Sequence, residues 1–256
     1  MEDIGEMKEA VAQQLRELNR RFYDEFAGSF ADSRAATEPG VVRILAHVEP
    51  GNSFLDLGCG NGRVALQLPR GCCYVGVDFS AEILALAKAH VTASQAEKAN
   101  APTLKASHFI AADLMNDPWP ELVAEISTRY DWILLRAVLH HVPGFEHRCE
   151  IVAQAASLLA PEGRLALANW QFTAIPRLRK RFLPWETIGL RPEDVEPGDY
   201  LLDWKRDGYG LRYVHLIDEE ETRRLVEAAN LHIEEMFRAD GHSNDLTLYA
   251  LAAPTP

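Results

Sequence analysis

The chain has 256 residues, of which 47% are hydrophobic and 25% charged, with a formal net charge of −12. That length suits one α/β domain with an insertion and can bury a sizeable core, and the composition excludes disordered, collagen-like and disulfide-scaffold classes. The acidic balance argues against a general coat protein for a phosphate backbone, although it says little about a local patch.

The chain opens on MEDIGEMKEA, which is acidic and lacks the basic and apolar regions of a signal peptide. No uncharged apolar run approaches the roughly 20 residues of a spanning helix. A cytoplasmic protein without membrane contact is therefore expected. Residues 6–27 carry Val11, Leu15, Leu18, Phe22 and Phe26 at helical spacing, with Gly28 as the expected stop. A short helix is expected at 39–47. Then the pattern changes to short apolar runs at 53–57, 74–78, 108–112, 131–135, 163–170 and 245–252. Helical patterns lie between them at Val64–Leu68, Ala81–Val91, Leu122–Ile126, Arg148–Leu159 and Glu219–Ala229. Cys59, Cys72, Cys73 and Cys149 form neither a C-x-x-C pair nor a disulfide framework, so no metal centre is expected.

Strands alternating with helices imply βαβ units and a parallel sheet covered on both faces, with ligands bound beyond the carboxyl ends of the strands. Residues 171–213 break the alternation and read as an inserted cap over those ends. The expected division of the single domain is a helical lid at 1–50, a core at 51–170, the cap at 171–213, and a C-terminal helix and strands at 214–256.

The strongest local signal is Asp56-Leu57-Gly58-Cys59-Gly60-Asn61-Gly62, after one strand and before an expected helix whose N-terminus would offer unpaired N–H groups to an anion. Glycines here permit positive φ and close approach of backbone to ligand. The spacing is G-x-G-x-G; Arg63 stands where a dinucleotide fingerprint needs glycine, and no P-loop pattern occurs, which disfavours hydride transfer and NTP hydrolysis. Asp78, at the end of the second strand, can accept both hydroxyls of a ribose. Asp113, after the third, can accept from an exocyclic amine, or simply cap a helix.

These motifs resemble the class I S-adenosylmethionine-dependent methyltransferases. FLDLGCGNGRVALQL, YVGVDFS, AADL, YDWILLRAVLHHV and LLAPEGRLAL stand in the family's order. The resemblance implies an α/β, Rossmann-like, mostly parallel seven-stranded sheet with helices on both faces, a helical lid and a cap. It implies S-adenosyl-L-methionine as cofactor and S-adenosyl-L-homocysteine as product. By it Asp56, Gly58, Cys59, Gly60, Asn61 and Gly62 would line the methionine and ribose side. Asp78 with Phe79 and Ser80 would hold the ribose, Asp113 with Leu114 would meet adenine, and Arg136 would lie near the methionine half. Tyr23 matches the aromatic that closes such pockets, or packs as core.

A narrower resemblance, carried by FYDEFAGSFADSR, RAVLHHVPGFEHRCEIV, RYVHL and FRADGHSNDLTLY, is to tRNA wobble-uridine methyltransferases that esterify 5-carboxymethyluridine. Asn244-Asp245-Leu246 departs from the aromatic residues usual there. Arg34, Arg136 and Arg212 are candidates for gripping a carboxylate of substrate or cofactor, or are ordinary ion-pair arginines. His140 or His141 can serve as a base for an O–H or N–H acceptor, whereas a carboxylate acceptor needs none. Residues 171–192 hold Arg177, Arg179, Lys180, Arg181 and Arg191 against Glu186 alone, interleaved with Phe172, Phe182 and Trp185. That segment either docks RNA or is a solvated loop with its aromatics folded under. The acceptor is thus a tRNA or a small molecule, a non-catalytic cofactor-binding protein is the remaining class, and no activating partner subunit is identifiable.

Overall fold

The computed structural model describes residues 7–32, 38–97, 103–206 and 208–255, with side chains 27–32 and 95–97 left aside. Its centre is a seven-stranded sheet in the order β3-β2-β1-β4-β5-β10-β9. The strands are β1 Ser53–Leu57, β2 Cys73–Asp78, β3 Ala106–Ala111, β4 Tyr130–Arg136, β5 Leu159–Trp170, β9 Leu231–Ala239 and β10 Thr247–Pro254. β1 to β5 pair in parallel; β10 runs antiparallel to both β5 and β9. The expected Rossmann-like sheet is present. β9, which sequence periodicity alone does not pick out, supplies the seventh strand; its mixed HIEEMFR pattern reflects an edge position, half-exposed along much of its length.

Side chains alternate across the sheet, so one face collects Leu55, Leu57, Val75, Val77, Ile133 and Leu135 under helices α5 (Phe145–Ser157) and α7 (Glu219–Ala228). The other collects Phe54, Tyr74, Trp132 and Leu134 under α2 (Pro39–Leu45) and α3 (Ala81–Glu97). The short α4 (Trp119–Ala124) adds Trp119 and Val123 to the first face.

Two local expectations fail. The helix expected at Val64–Leu68 is only a 3₁₀ turn, Ala65–Gln67, because Pro69 follows within two residues and β-region geometry is forced before it. The long N-terminal helix α1 (Glu9–Asp32) continues through Gly28; one interior glycine costs about 1 kcal/mol and does not end a helix this long.

The insertion forms α6 (Pro176–Arg179) and a three-stranded antiparallel sheet of β6 (Phe182–Leu183), β7 (Asp199–Trp204) and β8 (Gly210–His215). It packs on α1: Val11 and Leu15 meet Trp185, Leu201 and Tyr213, while Phe22 and Phe26 meet Trp204. A Cβ on Gly210 would come within 2.6 Å of Phe26 and 3.1 Å of Phe22, so glycine there lets the hairpin approach the helix.

Candidate functional site

The order of the sheet reverses between β1 and β4, and a cleft of about 650 Å³ opens at the carboxyl ends of the strands around that point. One wall is the loop after β1. Gly58 and Cys59 donate N–H to Val77 O at 2.8 and 2.9 Å, and Gly62 to Cys59 O at 3.1 Å. Gly58 has φ +73, and a Cβ there would lie 2.2 Å from Val138; no other residue fits. Gly60 has φ +54 and open space where a Cβ would be.

Asp78 ties this loop to the tip of β2. Its Oδ2 accepts from Gly60 N at 2.8 Å and its Oδ1 from Ser80 N at 3.1 Å. Burial pushes its carboxyl above the usual value, while those N–H groups and that of Phe79 pull it back. Two carboxylate oxygens offer about four acceptor positions, so capacity for two hydroxyls remains. Phe79, Ile83, Leu86, Leu114 and Met115 give the adjoining cleft an apolar lining suited to a flat ring. Asp113 also lines it, but its Oδ1 accepts from Met115 N at 2.9 Å and its Oδ2 from Asn116 Nδ2 at 2.7 Å, which closes a local turn and not the helix cap that was its other expected role.

At the end of β4, Arg136 pairs with Glu38 at 2.7 Å. Burial works against its charge, yet Glu38 and Asp56 outweigh it and hold the guanidinium above its ordinary value. Ala137, the next residue of the wall, adopts φ +59, strained for a residue with a Cβ. The opposite wall is α1, which contributes Arg16, Asn19, Arg20 and Tyr23. Tyr23 Oη lies 2.6 Å from His141 Nε2, and His141 Nδ1 lies 3.3 Å from Tyr213 O.

The expected residues therefore divide. Tyr23, Gly58, Cys59, Gly60, Asn61, Asp78, Phe79, Asp113, Leu114, Arg136 and His141 line the cleft. Asp56 does not. It points to the opposite sheet face from Leu55 and Leu57, accepts from Tyr74 Oη at 2.9 Å, and is pushed up to about 6 by burial. Gly62 and Ser80 shape the wall from behind, Ser80 through its N–H. His140 is fully buried, its ring 4.2 Å from that of His141 and 6.2 Å from that of Trp170. Arg212 is 4% exposed, its guanidinium among the rings of Trp170, Phe22 and Trp204 at 5.0 to 5.7 Å. Arg34 lies outside the described residues. Cys59 is a buried thiol pushed up by burial, a spacer and not a nucleophile.

The cap departs from expectation in the same way: among the described residues, none between 171 and 215 lines the cleft. Phe172 and Trp185 are buried and Phe182 packs on Tyr200, because they form the core that holds the hairpin together. Arg177, Arg179 and Lys180 are exposed, whereas Arg181 pairs with Asp203 at 3.1 Å.

Glu196, Asp199 and His215 present their donor atoms within 4.8 Å of one another, the ligand-like grouping found among the described residues. The carboxylates are already engaged. Arg148 holds Glu196 and Glu221, each at 2.8 Å, and Asp199 accepts from Tyr213 Oη at 2.7 Å and from His215 at 2.6 Å. Burial opposes a charge on His215, but Asp199 and Glu221 outweigh it and raise its value. This grouping joins cap to core as a buried ion cluster.

Glu38, Arg16, Asn19, Arg20 and Arg63 also line the cleft and were not picked out by sequence. Only Asn19 left a signal: it is the polar residue within the stripe Leu15, Phe22, Phe26 of α1.

A family profile described as "Methyltransferase domain" matches residues 13–236. The chain belongs to that methyltransferase family. The methyltransferase is 24% identical over 236 residues to the tRNA (carboxymethyluridine(34)-5-O)-methyltransferase of Schizosaccharomyces pombe (strain 972), covering 86% of this chain and 90% of that one. It is 29% identical over 160 residues to the 27-O-demethylrifamycin SV methyltransferase of Amycolatopsis mediterranei (strain S699), covering 58% of this chain and 52% of that one. It spans only 32% of the Arabidopsis thaliana protein named as a tRNA (carboxymethyluridine(34)-5-O)-methyltransferase. Its fold is that of the S-adenosylmethionine-dependent methyltransferases: a solved example from Methanosarcina mazei superposes with a TM-score of 0.62 at 20% identity, covering 83% of this chain and 96% of that one. Among the described residues no helix is long and apolar enough to cross a membrane.

Proposed function

We propose that this methyltransferase binds S-adenosylmethionine in the cleft and methylates an oxygen of a modified tRNA uridine, the carboxylate oxygen of a carboxymethyl group. The observation that carries this reading is the match to the fission-yeast tRNA enzyme, which extends over 86% of this chain and so beyond the glycine loop. The donor set fits the cofactor: Asp78 for the ribose diol, the apolar lining at Ile83, Leu86, Leu114 and Met115 for the base, and the Gly58–Asn61 backbone with Arg136 and Glu38 for the amino-acid end. When bound, the cofactor supplies an electrophilic sulfonium methyl group.

The work left to the chain is alignment and exclusion of water, since a carboxylate is already a nucleophile and needs no base. Arg16, Arg20 and Arg63 place positive charge along the cleft of a chain that is acidic overall. Arg177, Arg179 and Lys180 add exposed cations on the cap, suited to a phosphate backbone.

A second reading, methylation of a small-molecule hydroxyl, is favoured by the Tyr23–His141 pair. With Tyr23 Oη 2.6 Å from Nε2, both in the cleft wall, the phenol oxygen can take the proton of an O–H acceptor as it passes its own to Nε2 of the neutral imidazole. The burial of Phe172 and Trp185, which takes those two rings out of reach of a base, favours it too. Incubation with methyl-labelled cofactor and separated tRNA and small-molecule fractions decides between them by mass analysis of the product. Label on a tRNA nucleoside supports the first reading and label on a metabolite the second; no turnover to S-adenosylhomocysteine with either leaves a cofactor-binding protein without catalysis.

A further inference from the structure

Asn19 occupies a position that packing alone would give to leucine. It is 5% exposed, one turn on from Leu15 in the stripe that α1 turns inward. Burying an amide is unfavourable unless its polar atoms are bonded, and here both are, to different parts of the fold. Oδ1 accepts from Tyr213 N on β8 at 2.8 Å, and Nδ2 donates to the His141 carbonyl at 3.4 Å.

Tyr213 closes the circle. Its carbonyl oxygen lies 3.3 Å from His141 Nδ1. A carbonyl can only accept, so it is a proton on Nδ1 that makes this contact, and whenever the ring is neutral that leaves the lone pair on Nε2. Nε2 lies on the Tyr23 side, 2.6 Å from Oη. The lid helix, the turn Leu139–His141 and the cap hairpin are thus joined in one ring of three hydrogen bonds. Tyr213 is itself held from below, its hydroxyl on Asp199, which also holds His215. Of the three residues in this ring, Asn19 and His141 line the cleft, and Tyr213 stands behind them.

We propose that Asn19 is a positioning residue for methyl transfer: by gripping Tyr213 and the His141 backbone together, it fixes the direction and tautomer of His141 and hence the polar pair presented to the acceptor. The inference rests on the reading of the cleft as the methyl-transfer site, and assigns to the lid helix a task besides covering the cofactor. It also gives the cap, which contributes no lining residue among those described, a route into the site.

The test uses 15N-labelled full-length protein, with the His141 ring assigned by the signals that Asn19-intact His141→Asn loses. In the unsubstituted protein His141 is expected as the Nδ1–H tautomer, with a pyridine-type Nε2. Asn19→Leu, which continues the apolar stripe, is expected to average the two ring nitrogens and to lower kcat about tenfold or more, with a smaller change in cofactor affinity. Asn19→Asp keeps the acceptor for Tyr213 N but loses the donor to His141; an intermediate result is expected. Asn19→Ser serves in place of Leu should that variant fail to fold. An unchanged His141 tautomer in a folded Leu or Ser variant overturns the proposal, as does an unsubstituted protein whose His141 already averages. Failure of the methyl-transfer reading registers separately, as absence of cofactor binding or of any labelled acceptor, since the ring signals need neither.

Discussion

The two walls of the cleft are built by opposite means. The wall of strand tips is local: Gly58, Cys59 and Gly62 bond within the loop and to Val77, and Asp78 reaches Gly60 eighteen residues back. The wall of α1 is remote: Asn19 bonds a residue 194 positions away, and Tyr23 one 118 away. The first wall survives as long as its strands pair. The second is held from two sides, by the turn at His141 and by the hairpin of the insertion, which packs on α1 without lining the cleft among the described residues.

The sharpest way to break that comparison is to undo the docking. Arg148 is 1% exposed and balances Glu196 and Glu221 between core and cap. Arg148→Met should cost about 3–5 kcal/mol, because two largely buried carboxylates, 10% and 14% exposed, lose their cation. Denaturant unfolding measures it, and a loss below about 1 kcal/mol would mean the cluster does not hold the cap.

Asp56 probes the local wall without touching the remote one. Its folded value of about 6 lies above the ordinary 3.8, so its contribution to stability is complete below about pH 4 and is lost as pH rises through about 6. Asp56→Asn should remove that slope and raise stability at pH 7 by about 3 kcal/mol. Unfolding curves between pH 4 and 7 check this; an unaltered slope would place the titration elsewhere.

A smaller effect is expected at Gly210, where a methyl group meets Phe22 and Phe26. Gly210→Ala should destabilise by about 1–3 kcal/mol and lower turnover by displacing α1. Equal melting temperatures and equal rates would show that the helix does not depend on the hairpin. The smallest change in stability, within about 0.5 kcal/mol, is expected for Arg177→Glu, Arg179→Glu and Lys180→Glu together, since all three are exposed. The triple variant should lose methylation of tRNA and keep that of a free metabolite; retained activity on tRNA would remove the cap from the RNA path.

The same contrast explains what could be read in the sequence. A glycine loop between a strand and an acid at the next strand's end has a fixed spacing, because adjacent parallel strands bring those positions together, and Gly58, Gly60 and Asp78 stand where that spacing puts them. The fold followed from the same alternation. Asp56 misleads because one residue of register turns a strand side chain to the other face. The aromatics of the cap mislead because, interleaved with arginines, they carry the composition of an RNA surface, while burial of Phe172 and Trp185 is decided by tertiary contacts. Glu38 left no local mark: its partner, Arg136, is 98 residues away. Asn19 was legible only as an interruption of an apolar stripe, a signal whose meaning needs the partner strand.

Titration calorimetry of S-adenosylmethionine against the unsubstituted protein and Asp78→Ala bears most directly on the whole account. The unsubstituted protein should bind one cofactor per chain, and Asp78→Ala should bind about a hundredfold more weakly, a loss of about 2.7 kcal/mol, with its fold intact by circular dichroism. Equal affinities in the two proteins would contradict the placement of the sugar at the tip of β2.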